Sequence, residues 1–337
     1  MHRTSRILRW LFALVALAAA LCARAQVASP HAIEIPSWFA ESFLDFRDDV
    51  RDAARDGKRL MIYFGQDGCP YCKALMTVNF AQPDIVELTR RRFVAIALNI
   101  WGDREVTWVD GRRTSEKELA RALRVQFTPT LLFLDEKGAI VLRLNGYSPP
   151  GSFRVALEYA GLPGTPRESF TDYLARRVRE PGPGGPAAGA PPVDVARLLA
   201  GGNPVLVVYE YDGCRDCEAL RREGFTRPEV RDLLARFTVV SLDLAGARRI
   251  VLPGGRETDE RAWARELQVV YAPTLLFLDR DGREAFRSEG YLKPFHLAST
   301  LDYVASGAWR EEPSFQRYIQ KRAAAQRAAG SRIDLWE

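Results

Sequence analysis

The chain has 337 residues and 47% hydrophobic content, enough for two domains with substantial cores. Its 48 Lys and Arg stand against 43 Asp and Glu, a formal net charge of +5. Four of the basic residues (Arg3, Arg6, Arg9 and Arg24) fall in the first 25 positions with no acidic partner, so the rest holds 44 against 43 and offers no electrostatic case for nucleic-acid binding.

Residues 1–25 read as a secretory signal peptide. A basic start leads into "LFALVALAAALC", an apolar run too short to span a bilayer comfortably, and Ala23-Arg24-Ala25 supplies an A-x-A cleavage site. Lipid attachment at Cys22 is the alternative, and Leu21 before it fits that poorly. Cleavage near Ala25 implies a periplasmic or secreted protein with four cysteines: Cys69, Cys72, Cys214 and Cys217. Four are too few for a disulfide-stapled scaffold of this size, so they read as chemistry.

Next, Phe39, Phe43, Phe46, Val50 and Ala53 fall at helical spacing, and Gly57 stops the helix. "RLMIYF" predicts a buried strand. "GCPYCK" then opens a helix through about Asn79, and Pro83 begins another. "FVAIALNI" is a second strand, followed by a hairpin-like insertion around Asp110-Gly111. "TSEKELARALRV" is a helix capped by Thr114 or Ser115. After Thr128-Pro129, "TLLFLD", a Lys137-Gly138 turn and "AIVLRL" form a β-hairpin, with helices near 151–160 and 167–179.

The same order then recurs. "TPTLLFLDEKG" from Thr128 matches "APTLLFLDRDG" from Ala272; "NGY" at Asn145 matches "EGY" at Glu289; "LEY" at Leu157 matches "LDY" at Leu301. These pairs are 144 positions apart and the cysteine pairs 145, as are Phe170 and Tyr173 from Phe315 and Tyr318. The repeat is a whole domain. "EPGPGGPAAGAPPV" between the copies, with five prolines and four glycines, reads as a linker. Its 14 residues would reach about 40 Å at the polyproline rise, so the domains could meet or stand apart. The division is therefore 1–25 signal, 33–179 first domain, 180–193 linker and 194–330 second domain. The order β-α-β-α-β-β-α predicts an α/β fold in each copy, a mixed sheet flanked by helices.

Each cysteine pair lies between a strand and a helix. That places the Cys69 and Cys214 sulfurs at helix N-termini, where unpaired N–H groups and the macrodipole favour thiolate. Cys72 and Cys217, one turn on, can attack a mixed disulfide and release the partner. Two zinc half-sites are the rival reading, disfavoured by the domain and linker between the pairs. A static structural disulfide is another, and a bridge across so few residues gives little entropic benefit. Thr128-Pro129 and Ala272-Pro273 each precede a strong strand; a trans proline starting a strand is the plain reading and a cis proline the special one. His2, His31 and His296 are scattered and suggest no Cys–His pair. Trp101 and Trp108 read either as walls of a substrate groove or as packing. The tail "FQRYIQKRAAAQRAAGSR" reads as a basic docking helix.

With these residues in view, Cys69-Pro70-Tyr71-Cys72 heading a helix, Thr128-Pro129-Thr130 before a hairpin, and the strand order resemble thioredoxin. More narrowly, "GCPYCK", "LNIWGDREV", "SEKELAR" and "FTPT" resemble the exported thioredoxin-related (SoxW-like) proteins of bacterial sulfur-oxidation systems, over residues 38–160, with 194–305 a diverged second copy. The resemblance implies two tandem thioredoxin folds, thiol–disulfide exchange and no bound cofactor or metal. It also implies cis Pro129 and Pro273 against the cysteines, with Thr128 and Ala272 pairing an extended substrate. Thioredoxins usually carry a buried Asp six positions before the first cysteine; here Tyr63 and Val208 stand there. Asp67 and Asp212 are candidates for proton transfer, or turn residues beside Gly68 and Gly213.

The expected function is a periplasmic oxidoreductase that reduces protein disulfides. The resemblance implies electrons from a membrane thiol transporter of the DsbD/CcdA type. Alternatives are a two-site oxidase or isomerase like protein disulfide isomerase, or one active domain joined to a non-catalytic client-binding domain.

Overall fold

The computed structural model describes residues 32–164, 168–178 and 191–331. The expected signal peptide, Cys22, His2, His31 and most of the linker lie outside the described residues.

The first domain runs α1 (Phe46–Arg55), β1 (Arg59–Gly65), α2 (Pro70–Ala74), α3 (Pro83–Arg92), β2 (Phe93–Asn99), β3 (Glu105–Thr107), β4 (Arg113–Ser115), α4 (Glu116–Ala122), β5 (Thr130–Leu134), β6 (Ile140–Asn145), α5 (Pro150–Ala160) and α6 (Phe170–Val178). Helix α2 continues through a wider turn at Leu75–Asn79. The sheet order is β2-β1-β5-β6, with β1 parallel to β2 and antiparallel to β5. Every residue of β1 is buried, because helices cover both faces. Leu60, Ile62 and Phe64 pack towards α1 and α4; Met61 and Tyr63 pack towards Phe80 and Phe153.

The sequence places Phe39 and Phe43 on the first helix, but α1 begins at Phe46. Leu44 takes a φ of 62°, which turns the chain, and Asp45 caps the helix by accepting from the Arg47 N–H. Phe39 instead packs beside Trp38 and Phe80, while Phe43 is exposed. Ser115 is the cap of α4, in a reciprocal box with Glu118. Trp108 is core, edge-on to Phe46 at 5.6 Å.

The second domain runs β7 (Val193–Asp194), α7 (Val195–Ala200), β8 (Val205–Glu210), α8 (Arg215–Ala219), α9 (Pro228–Leu234), β9 (Thr238–Asp243), β10 (Arg249–Val251), β11 (Glu257–Asp259), α10 (Glu260–Glu266), β12 (Thr274–Leu278), β13 (Glu284–Glu289), α11 (Pro294–Ala305), α12 (Ala308–Glu311) and α13 (Phe315–Ala328). Its main sheet, β9-β8-β12-β13, reproduces the first. The repeat extends to buried polar groups. The Glu116 carboxylate accepts from the Asn99 and Arg104 N–H groups, and Glu260 does the same for Asp243 and Arg248. Val193, the expected last linker residue, pairs instead with Ile250.

The domains pack against each other, and one cluster of buried apolar side chains crosses both. Thr171 of α6 donates to the Val269 carbonyl, 2.6 Å away, just before the second domain's Pro273. In α13, the Gln316 amide donates to the Gln126 carbonyl at 2.9 Å, just before Pro129. Each copy's last helix thus braces the other copy. The expected docking role of the basic tail agrees with this: Phe315 and Ile319 of α13 are buried, with Phe315 5.2 Å from the Phe127 ring. Among the described residues, no helix is long and apolar enough to cross a membrane.

Candidate active site

Strand β1 delivers the chain to Gly68, and Cys69 caps α2 in extended conformation (φ −90°, ψ 111°) with Pro70 in the first turn. The Cys72 N–H donates to the Cys69 sulfur at 3.0 Å. Cys214 repeats the arrangement, accepting from the Cys217 N–H at 3.1 Å. Each pair is joined as a disulfide, with Cα atoms 5.2 Å apart. A sulfur held at the first N–H groups of a helix is stabilised as an anion when the bridge opens.

The Thr128-Pro129 and Ala272-Pro273 peptide bonds are both cis, as the resemblance implies. Thr128 lies against the first sulfur: its hydroxyl donates to Cys69 Sγ at 3.3 Å, and its carbonyl oxygen lies 3.3 Å from the same atom. Ala272 has no hydroxyl to offer Cys214. The Gly146 N–H donates to the Pro129 carbonyl at 2.7 Å, and the Gly290 N–H donates to that of Pro273 at 2.8 Å. These glycines carry the repeated "NGY" and "EGY", and both are constrained by the interface. Gly146 has φ +87°, and a Cβ there would stand 3.0 Å from the Glu289 carbonyl oxygen. Gly290 has φ +84°, and a Cβ would stand 2.9 Å from the Tyr147 carbonyl oxygen. The edge beside each cis proline therefore faces the other domain.

Tyr63, in place of the usual aspartate, has a buried hydroxyl with no hydrogen-bond partner among the described residues. Burial, with the Asp67 charge adding to it, holds this phenol far above its usual range, so it stays protonated. Asp67 accepts from the Ile33 N–H at 3.0 Å and lines the cleft over Cys69. Asp212 lines a separate cleft beside Cys214. Trp101 is exposed and donates from its ring nitrogen to Gln66, which in turn donates to the Thr128 hydroxyl.

Several residues at the first site escaped the sequence reading. The Tyr71 hydroxyl accepts from the Lys293 N–H at 2.7 Å, and its ring meets His296 edge-on at 5.2 Å. Gln66 donates to Gln316 at 2.7 Å. Burial pushes the His296 imidazole down to about 4, with Lys293 adding to the effect, so it is neutral at physiological pH. Matched glycines at Gly146 and Gly290 were the one signal that the domains meet here.

Each domain's mixed sheet carries a helix-capping CxxC pair and a cis proline, and in the first Thr128, just before that proline, touches the Cys69 sulfur. Fold and site together define a thiol–disulfide oxidoreductase of the thioredoxin type. The thioredoxin-like domain family matches residues 46–161 and 192–305, more than half the chain, and the protein belongs to that family. Among solved structures it is similar to a thioredoxin-fold protein from Helicobacter pylori (25% identity over 40% of this chain and 91% of that one, TM-score 0.30). A thioredoxin from Thermus thermophilus shares 32% identity over 34% of this chain and 82% of that one, TM-score 0.27. The periplasmic thioredoxin SoxS from Paracoccus pantotrophus shares 19% over 32% and 99%, TM-score 0.23. No curated protein matches the chain.

Proposed function

We propose that the protein reduces disulfides of exported substrates, with Cys69 attacking and Cys72 resolving. Cys214 and Cys217 take the same roles in the second domain. The observation that carries this reading is the Cys69 sulfur at the α2 cap, receiving both the Cys72 N–H and the Thr128 hydroxyl. A thiolate there keeps its charge through hydrogen bonds and remains a nucleophile near neutral pH. Thr128 touches the Cys69 sulfur; with Pro129, and with Ala272 and Pro273 in the second copy, it is assigned to substrate binding. Asp67 and Asp212 stand near enough to the pairs to accept protons through solvent.

The basic start, apolar run and A-x-A site of residues 1–25 support an exported, periplasmic setting, as does the likeness of the first motif to the SoxW-like proteins. A reductant there draws electrons from a membrane thiol carrier of the DsbD/CcdA type. A Cys72→Ser variant is expected to hold its client as a mixed disulfide on Cys69, which mass spectrometry of the trapped species would name. Absence of any Cys69 adduct, with client-rich extract and a reducible parent protein, would overturn the reading.

A further inference from the structure

Over Cys69 lies a cleft of about 200 Å³ built by both domains. Asp67, Thr128 and Tyr147 come from the first domain; Tyr291, His296 and Gln320 come from the second. Its walls are tied together by the Tyr71–Lys293 and Gln66–Gln316 hydrogen bonds. A cavity of about 150 Å³ takes a benzene molecule, whereas drug-sized ligands occupy roughly 300 Å³ or more. This cleft therefore suits a group of about ten heavy atoms, well short of a protein surface. An extended client strand meets a further obstacle, because the backbone beside Pro129 already faces Glu289 of the second domain.

The lining also has a sign. Among the described residues that line the cleft there is no lysine or arginine. Glu289 is buried, accepts from Asn145 and lies 3.7 Å from Arg287, so Asp67 supplies most of the local negative charge. The imidazole Nδ1 of His296 is buried without a partner among the described residues, an unmet polar group in the wall. The nearest cation, Lys293, acts on His296 but is not among the lining residues, so an anionic ligand would meet Asp67 with no lining counter-charge, and a cationic one would be favoured.

We propose that in this arrangement the Cys69 site takes small disulfides with uncharged or cationic arms, and that Tyr291, His296 and Gln320 of the second domain select them. This rests on the exchange chemistry above and names the substrate of its first site. The Cys69 thiolate attacks one sulfur of RS–SR, forming a Cys69–SR bond and expelling RS⁻. The Cys72 thiolate then attacks Cys69 Sγ, closing the protein disulfide and expelling the second RS⁻. Two electrons pass to the substrate, and the two RS⁻ groups take up the protons that the cysteines release.

The test uses the full chain carrying Cys214→Ser and Cys217→Ser, reduced with dithiothreitol and freed of it. Single-turnover oxidation is followed with cystamine, small and cationic, and with oxidised glutathione, larger and anionic. Each rate is divided by that of the same disulfide with a free model thiol. The expected result is a preference for cystamine of about tenfold or more, the scale of a charge contrast in a partly buried site. Gln320→Lys, at an exposed position on the cleft wall, should narrow that preference several-fold by supplying the missing cation. Equal normalised rates, or a preference that Gln320→Lys leaves unmoved, would overturn the cleft assignment while leaving the exchange chemistry standing. A Cys69–Cys72 bridge that dithiothreitol cannot reduce would bring down both.

Discussion

At the first cysteine pair the helix opens with Pro70 and Tyr71 and carries no acid in its first turn; at the second, Arg215 and Asp216 stand in their place, with Glu218 next. The first sulfur receives the Thr128 hydroxyl, while Ala272, the matching residue of the second copy, has no hydroxyl to give. The clefts differ as well. That over Cys69 is shared between domains and has no lysine or arginine among its described lining residues, whereas that beside Cys214 is about 480 Å³, lies within one domain and includes Arg221 and Arg248. A duplicated scaffold thus keeps the backbone device and varies the charges around it. The thiolate is better supported at Cys69, which gains the Thr128 hydroxyl and has no acid in its helix's first turn, because Arg221 and Arg248 beside Cys214 are already paired with Glu210 and Glu260. Stabilising the reduced form makes a pair more oxidising. The second pair should therefore be the stronger reductant, which suits electron flow from the second domain to the first.

The strongest way to break the pairing of the halves is at the glycines. Gly146→Val and Gly290→Val each place a side chain at positive φ and against the other domain's carbonyl. Each is expected to cost about 3 kcal/mol, combining backbone strain with the clash. Chemical denaturation measures the cost, and small-angle scattering should show the domains parting in both variants. An effect from only one of them would break the symmetry of the comparison.

Acid should loosen the same seam. Burial holds His296 at about 4 when folded, below its value near 6.5 in an open chain, so the unfolded state binds more protons between those limits. The contribution is fully present above pH 6.5 and is lost as pH falls towards 4. Its size is on the order of 2 kcal/mol, allowing for a ring that is not wholly removed from solvent. His296→Gln should flatten this part of the stability–pH curve.

The smallest effect sharpens the contrast between the sulfurs. Thr128→Val should raise the Cys69 thiol pKa by about one unit by removing a donor to the thiolate, readable from thiolate absorbance in the reduced protein. Ala272→Thr should act in the opposite sense at Cys214.

Much of this was legible in the chain because it is local. A CxxC pair between strand and helix, the X-Pro steps and the 144-residue repeat each carry their meaning within a few residues. The start of α1 was not, since Phe39 and Phe43 share its period while Leu44 breaks it by a backbone conformation that no pattern of apolar residues encodes. Trp108 reads as a groove wall or, more commonly for an aromatic, as packing, and its contact with Phe46 decides for packing. The closure over Cys69 was least legible. It joins Gln66 to Gln316 and Tyr71 to Lys293, residues of unremarkable type that no motif relates.

The most direct test is a redox titration of each pair separately, in chains where the other pair is changed to serine, with the oxidised fraction read by thiol-trapping mass spectrometry. The expected result is two reversible two-electron transitions in the reducing range near thioredoxin's about −270 mV, with Cys214/Cys217 lower than Cys69/Cys72 by on the order of 30 mV. Asp216→Asn should shrink the gap. A pair that never opens, potentials nearer −120 mV, or the reverse order would contradict the account.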